Sequence, residues 1–170
     1  MLESSLTLYK LIVLYLLSKV NFPLTNSQIS EFILEQGYTT YFHLQEAFHE
    51  LVDSHLVSLE TRRNTTYYSL TAEGENTLTY FSNLIPDVIR EEADNYLKEN
   101  KYELRNEYSI RSDYYQNGED YLVRCEVLEQ GAHLIDLSLT VPTEEAARTI
   151  ASHWNKKSQD IYSYLMKELL

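Results

Sequence analysis

Residues 25–54, TNSQISEFILEQGYTTYFHLQEAFHELVDS, decide the fold. Thr25 followed three residues later by Gln28 is a capping box, in which each side chain satisfies an orphan backbone N–H of the other residue. A helix is therefore expected from about Asn26 to Gln36, with Ile29, Phe32 and Ile33 facing inward and Gly37 closing it. Tyr38-Thr39-Thr40 opens a second helical pattern through about Ser54, whose stripe of Leu44, Ala47, Phe48 and Leu51 follows the i, i+3, i+4, i+7 spacing. Two short helices joined by a tight glycine turn make a helix-turn-helix.

Outward from this pair, residues 6–20 are apolar nearly all round (Leu8, Leu11, Ile12, Leu14, Tyr15, Leu16, Leu17), the pattern of a helix buried by neighbours on several sides. On the other flank, 56–61 and 66–70 are β-prone runs about the polar tip Arg62-Arg63-Asn64-Thr65, which reads as a hairpin. Thr71 caps a further helix running to about Asn100, with Pro86 expected to kink or restart it near Ile85.

From about Lys101 the period changes to two. In 104–114, Leu104, Tyr108, Ile110 and Tyr114 share one face of an expected strand. Asn117-Gly118 is a hairpin signal leading to Tyr121, Val123, Cys125 and Val127, and a turn at Gln130-Gly131 precedes His133, Ile135, Leu137, Leu139 and Val141 in alternation. Thr143 then caps a last helix with Ala147, Ile150, Ala151, Trp154, Ile161, Leu165 and Leu169 on one stripe, the natural cover for a three-stranded meander. The expected class is α+β, organised as a winged helix-turn-helix at 1–75, a connecting helix at 76–100 and an α+β module at 101–170.

The order helix, helix, helix, hairpin is that of a winged helix. Tyr68-Ser69-Leu70-Thr71-Ala72-Glu73-Gly74 resembles the end of the wing in PadR-like and MarR-like bacterial regulators, where a tyrosine-bearing strand runs into Leu-Thr-x-x-Gly and a helix. Three stretches, Lys10 to Tyr15, Phe22 to Ile29 and Trp154-Asn155-Lys156-Lys157, resemble the bacterial family called domain of unknown function 4364, whose members are described as winged-helix transcriptional regulators. The resemblance implies a fold and a DNA-binding role, and hands over no ligand or operator.

Charge bears directly on that role. The formal charge is −12, and residues 1–70 hold four bases (Lys10, Lys19, Arg62, Arg63) against seven acids. Affinity for DNA rests largely on neutralising phosphates with Lys and Arg, so any DNA contact must be local. In the usual docking mode the second helix of the pair enters the major groove while the wing touches backbone or minor groove. The candidate DNA-binding residues are Thr39, Thr40, Tyr41, His43, Gln45, Glu46 and His49 on that helix, with Arg62, Arg63, Asn64 and Thr65 on the wing. Gln45 suits adenine and the threonines suit phosphate, whereas Glu46, Glu50 and Asp53 are expected on the same outward face, where they oppose phosphate.

Other chemistry finds little support. His43, His49 and His55 are spaced six apart and fall on different sides of a helix, so no metal site is expected from them. Most of the fifteen tyrosines read as core, Tyr108, Tyr114 and Tyr121 alternating as sheet-face residues do. Glu144 and Glu145 sit where carboxylates favour the positive end of a helix. Gly-rich phosphate loops, nucleophile elbows and metal-ligand spacings are missing from the sequence, so the expectation is a protein that is not an enzyme and uses no cofactor. Cys125, the only cysteine, excludes an internal disulfide and suits a reducing compartment. The apolar run Leu11 to Leu17 is short of a membrane span and lacks the flanks of a secretory signal, so a cytoplasmic location is expected. Two readings stay open: a regulator binding DNA as a homodimer, and a protein-interaction module whose acidic surface docks on a basic partner.

Overall fold

The computed structural model describes residues 2–62 and 65–170, residues 2–4 by their backbone alone. The described residues form six α-helices and two three-stranded antiparallel sheets, an α+β fold dividing into two compact units, 1–104 and 105–170.

In the first unit, α1 (Leu2–Ser18) buries Leu11, Ile12, Val13, Leu14, Leu16 and Leu17 against α3, α4 and the first sheet, as its all-round apolarity requires. Phe22 and Leu24 follow it into the core. Leu24–Thr25 form a two-residue strand, β1, paired with Tyr68 and Tyr67. So short a strand has no period to read, and it is absent from the sequence expectation.

Helix α2 (Asn26–Glu35) starts at the full capping box: the Gln28 amide N–H donates to Thr25 Oγ1 at 3.1 Å and the Thr25 N–H to Gln28 Oε1 at 2.9 Å. It ends in a Schellman turn, with the Gly37 N–H donating to the Leu34 carbonyl and the Tyr38 N–H to the Ile33 carbonyl. Gly37, at φ +71°, is the left-handed residue this turn demands. Helix α3 (Tyr41–Asp53) begins three residues later than the pattern suggests, because Thr40 is its N-cap and holds extended backbone angles. At its far end His55 takes the left-handed position at φ 58°, its N–H donating to the Val52 carbonyl and that of Leu56 to the Leu51 carbonyl.

The hairpin is β2 (Val57–Arg62) and β3 (Thr65–Leu70), with β3 central between β1 and β2. Phe48 of α3 stacks on Tyr68 of β3, ring centroids 4.7 Å apart. Thr71 then ties hairpin to helix. Its Oγ1 accepts from the Gly74 N–H at 3.0 Å, capping α4 (Ala72–Phe81), and lies 2.7 and 2.9 Å from the His55 and Leu56 carbonyls. A Cβ on Gly74 would stand 2.0 Å from the Leu56 carbonyl oxygen. The Leu-Thr-x-x-Gly pattern thus has a physical cause: threonine and glycine close one backbone junction.

Pro86 restarts the chain. A 3₁₀ turn at Ser82–Leu84 and extended Ile85 separate α4 from α5 (Asp87–Ser109). Helix α5 runs on past Asn100, so the strand expected from 104 begins only at Ile110. Leu97, Leu104 and Tyr108 are spaced seven and four apart, which suits a helix as well as a strand, and the intervening Lys, Glu and Arg favour helix. Tyr108 consequently belongs to a helix, with the Arg111 guanidinium 4.6 Å from its ring centroid.

The second unit is a meander, β4 (Ile110–Asn117), β5 (Asp120–Glu129) and β6 (Ala132–Val141), with α6 (Glu144–Leu169) on one face. Asn117 pairs with Asp120, so the turn centres on Gly118 and Glu119, one residue later than the Asn-Gly pair suggests. Gln130 (φ 50°) and Gly131 (φ 80°) make the second turn, both left-handed as a type I′ turn requires. Val123, Cys125, Ala147 and Trp154 form the buried centre, and Thr143 caps α6 by accepting from the Ala146 N–H. Burial pushes the Cys125 thiol up, away from the reactive thiolate. Among the described residues, no helix is long and apolar enough to cross a membrane.

Candidate nucleic-acid interface

The expected DNA-facing residues do not form one uniform face. At the start of α3, Thr40 is exposed and its Oγ1 accepts from the His43 N–H at 3.4 Å. Thr39 is half-buried, and its hydroxyl has no hydrogen-bond partner. Tyr41 is 62% exposed and Phe42, which the sequence reading passes over, is 75% exposed. Phe42 lies off the stripe of Leu44, Ala47, Phe48 and Leu51, and that phase is the signal that could have found it. His43 is half-buried, its ring meeting that of Phe42 edge-on at 6.0 Å.

Gln45 is bound to the scaffold. Its Nε2 donates to Asn26 Oδ1 at 3.1 Å, and Asn26 Nδ2 donates to Gln45 Oε1 at 2.9 Å, so the two carboxamides fasten α3 to α2. Ser30 Oγ adds a third bond to Asn26 Oδ1. A glutamine so held is not the free adenine reader its residue type suggested.

The acids of α3 also separate. Glu50 is half-buried and paired with α1, where Lys10 Nζ donates to its Oε2 at 2.8 Å, whereas Glu46 is exposed. Asp53 lies 3.3 Å from His49 Nε2, one turn back, both exposed. Glu46 faces solvent, and the first turn of α3 carries no acid. The positive end of the helix dipole is therefore not opposed by a carboxylate there.

On the hairpin, Arg62 ends β2, half-buried, and pairs in register with Thr65, the first residue of β3. Arg63 and Asn64, the rest of the expected tip, lie outside the described residues.

A second cluster of charged groups lies in the second unit, on the sheet face opposite α6. Arg124 grips Asp136 through two bonds, Nε to Oδ1 at 3.0 Å and a terminal nitrogen to Oδ2 at 2.8 Å, and that nitrogen is 3.4 Å from Glu126 Oε1. His133 Nε2 is 2.6 Å from the same Glu126 oxygen. The guanidinium holds the Asp136 carboxyl below the usual carboxylate range. Alternation along β6 placed His133 on the face of Ile135. The register instead shifts between Val127 and Leu128, leaving Leu134 unpaired and moving His133 opposite Leu128, onto the face of Glu126 and Asp136.

No curated protein sequence and no solved structure matches the chain. The model of one family, described as domain of unknown function (DUF4364), matches residues 9–169, nearly the whole length, and the chain belongs to that family.

Proposed function

We propose that the protein is a DNA-binding transcriptional regulator whose first unit is a winged helix, with α3 as the recognition helix and β2–β3 as the wing. The observation that carries the reading is the start of α3. A helix fastened to α2 by two hydrogen bonds presents an exposed N-terminus, with Thr40, Tyr41 and Phe42 exposed and no acid in its first turn. Helix N-termini favour phosphate through their unpaired N–H groups and dipole. The pairing of Glu50 with Lys10 removes one of the three acids that weighed against DNA.

Contact is proposed through Thr40 and Tyr41 at phosphates and through Arg62 and Arg63 of the wing, while Gln45 serves as a positioning residue. A homodimer supplies the second half-site contact, as two-fold symmetry does for small helix-turn-helix proteins. The exposed apolar row Tyr80, Phe81, Leu84 and Val88, running from α4 into α5, is the surface proposed for it. The test is retention of labelled genomic fragments against non-specific competitor, repeated with Arg62→Glu and Arg63→Glu combined, which is expected to abolish retention.

One observation favours a second reading. Tyr41 and Phe42 are the kind of exposed aromatic pair that anchors protein interfaces. A winged helix used for protein contact would keep those two side chains essential and be indifferent to charge reversal at Arg62 and Arg63.

A further inference from the structure

Among the described residues, Glu126 is the only charged residue that is buried, its side chain 7% exposed. A buried carboxylate is costly unless paired, and the groups facing it are unequal in charge. Arg124 on the same strand is shared between Glu126 and Asp136, while Arg111, opposite on β4, is turned to the Tyr108 carbonyl at 3.1 Å and to its ring. Two carboxylates therefore share one guanidinium, with the His133 imidazole 2.6 Å from Glu126.

The chain has placed these groups together by an irregular device. Residues 133 and 136 are three apart and would point to opposite faces of a regular strand. The shift in register beside Leu134 brings both to the face of Glu126. One donor atom from each of Glu126, His133 and Asp136 then lies within 4.8 Å of the others. Four-coordinate Zn²⁺, with bonds of about 2.0–2.2 Å to nitrogen and oxygen, spaces its ligand atoms at about 3.4 Å. His133 and Asp136 are exposed residues that can close that difference by side-chain rotation.

We propose that Glu126, His133 and Asp136 form a binding site for a divalent first-row transition ion, with Zn²⁺ the best-suited probe, and that Arg124 is the internal cation competing for it. One imidazole nitrogen and two carboxylate oxygens suit such an ion and not Mg²⁺, which takes oxygen ligands and retains its water.

Calorimetric titration of the full chain with Zn²⁺, and the visible spectrum of its Co²⁺ form, test the site. The expected result is one ion per chain with no comparable heat from Mg²⁺. His133→Gln and Glu126→Gln should each weaken binding by more than about 100-fold, since even outer partners of metal sites are worth about 10–100-fold. Arg124→Gln should tighten it, which keeps the test decisive if a ligand variant fails to fold. His49→Ala, altering the exposed His49–Asp53 pair, should leave binding unchanged. No Zn²⁺ uptake by the unaltered chain, uptake undiminished in His133→Gln, or weaker binding in Arg124→Gln would overturn the proposal.

Discussion

The carboxamides of Asn26 and Gln45 are joined head to tail by two hydrogen bonds of 2.9 and 3.1 Å, and this pair sets how α3 is carried on α2. Gln45→Ala leaves half-buried Asn26 without those partners. Asn26 keeps Ser30 and Tyr68, so the expected cost is that of two lost hydrogen bonds, about 1–2 kcal/mol, read as a lower urea midpoint at unchanged slope. If Gln45 instead read a base, the same change would leave stability intact and relax sequence preference.

Gly74 is fixed by close approach. Gly74→Ala drives a Cβ to 2.0 Å from the Leu56 carbonyl oxygen and 2.8 Å from Leu70 Cδ1. The backbone junction must open, at an expected cost of about 3 kcal/mol, the upper range for overpacking. Glu73→Ala, at an exposed neighbour, should stay within about 0.5 kcal/mol. Equal urea midpoints for the two variants would contradict this assignment.

Much of this was legible from residue order, and the exceptions share a cause. The capping box at Thr25, the Gly37 turn and the α3 stripe are local and periodic, so their partners lie within a few residues. Three things were not local. The Asn26–Gln45 pair, the Lys10–Glu50 bridge and the Tyr67–Thr25 pairing join residues 19 to 42 positions apart, and no spacing rule announces them. The run from Leu97 to Tyr108 failed differently, because seven- and four-residue spacings fit both helix and strand. His133 was misplaced by a single irregularity, since any slip of one residue exchanges the two faces of a strand.

Tyr15 of α1 donates to Asp94 of α5 at 2.8 Å, and burial, the hydrogen bond and the charge of Asp94 together push its phenol up to about 12. A folded-state pKa above the unfolded value gives stability that is fully present below the ordinary tyrosine pKa, about 10, and lost as pH rises through the folded value. Urea stability should therefore fall from pH about 10 to about 12 more steeply in the unaltered chain than in Tyr15→Phe. Parallel profiles would show that the bond makes no differential contribution.

The apolar row at Tyr80 and Val88 yields an association prediction. Tyr80→Ser combined with Val88→Ser removes two exposed apolar side chains and is expected to leave urea stability within about 0.5 kcal/mol at protein concentrations too low for association. Sedimentation should show a dimer for the unaltered chain and a monomer for the double variant. A monomer in both cases would remove the homodimer from the proposed mode of DNA binding.

The most direct measurement is a titration of the purified chain against labelled genomic fragments at low and moderate salt, with non-specific DNA as competitor. Retention of a few fragments despite competitor is predicted. Its salt slope should be shallow, near 0.9 per neutralised phosphate and so about 4 for two wings of two arginines each; Arg62→Glu with Arg63→Glu should abolish retention. No retention up to micromolar protein, or retention untouched by that charge reversal, would contradict DNA recognition through α3 and the β2–β3 hairpin.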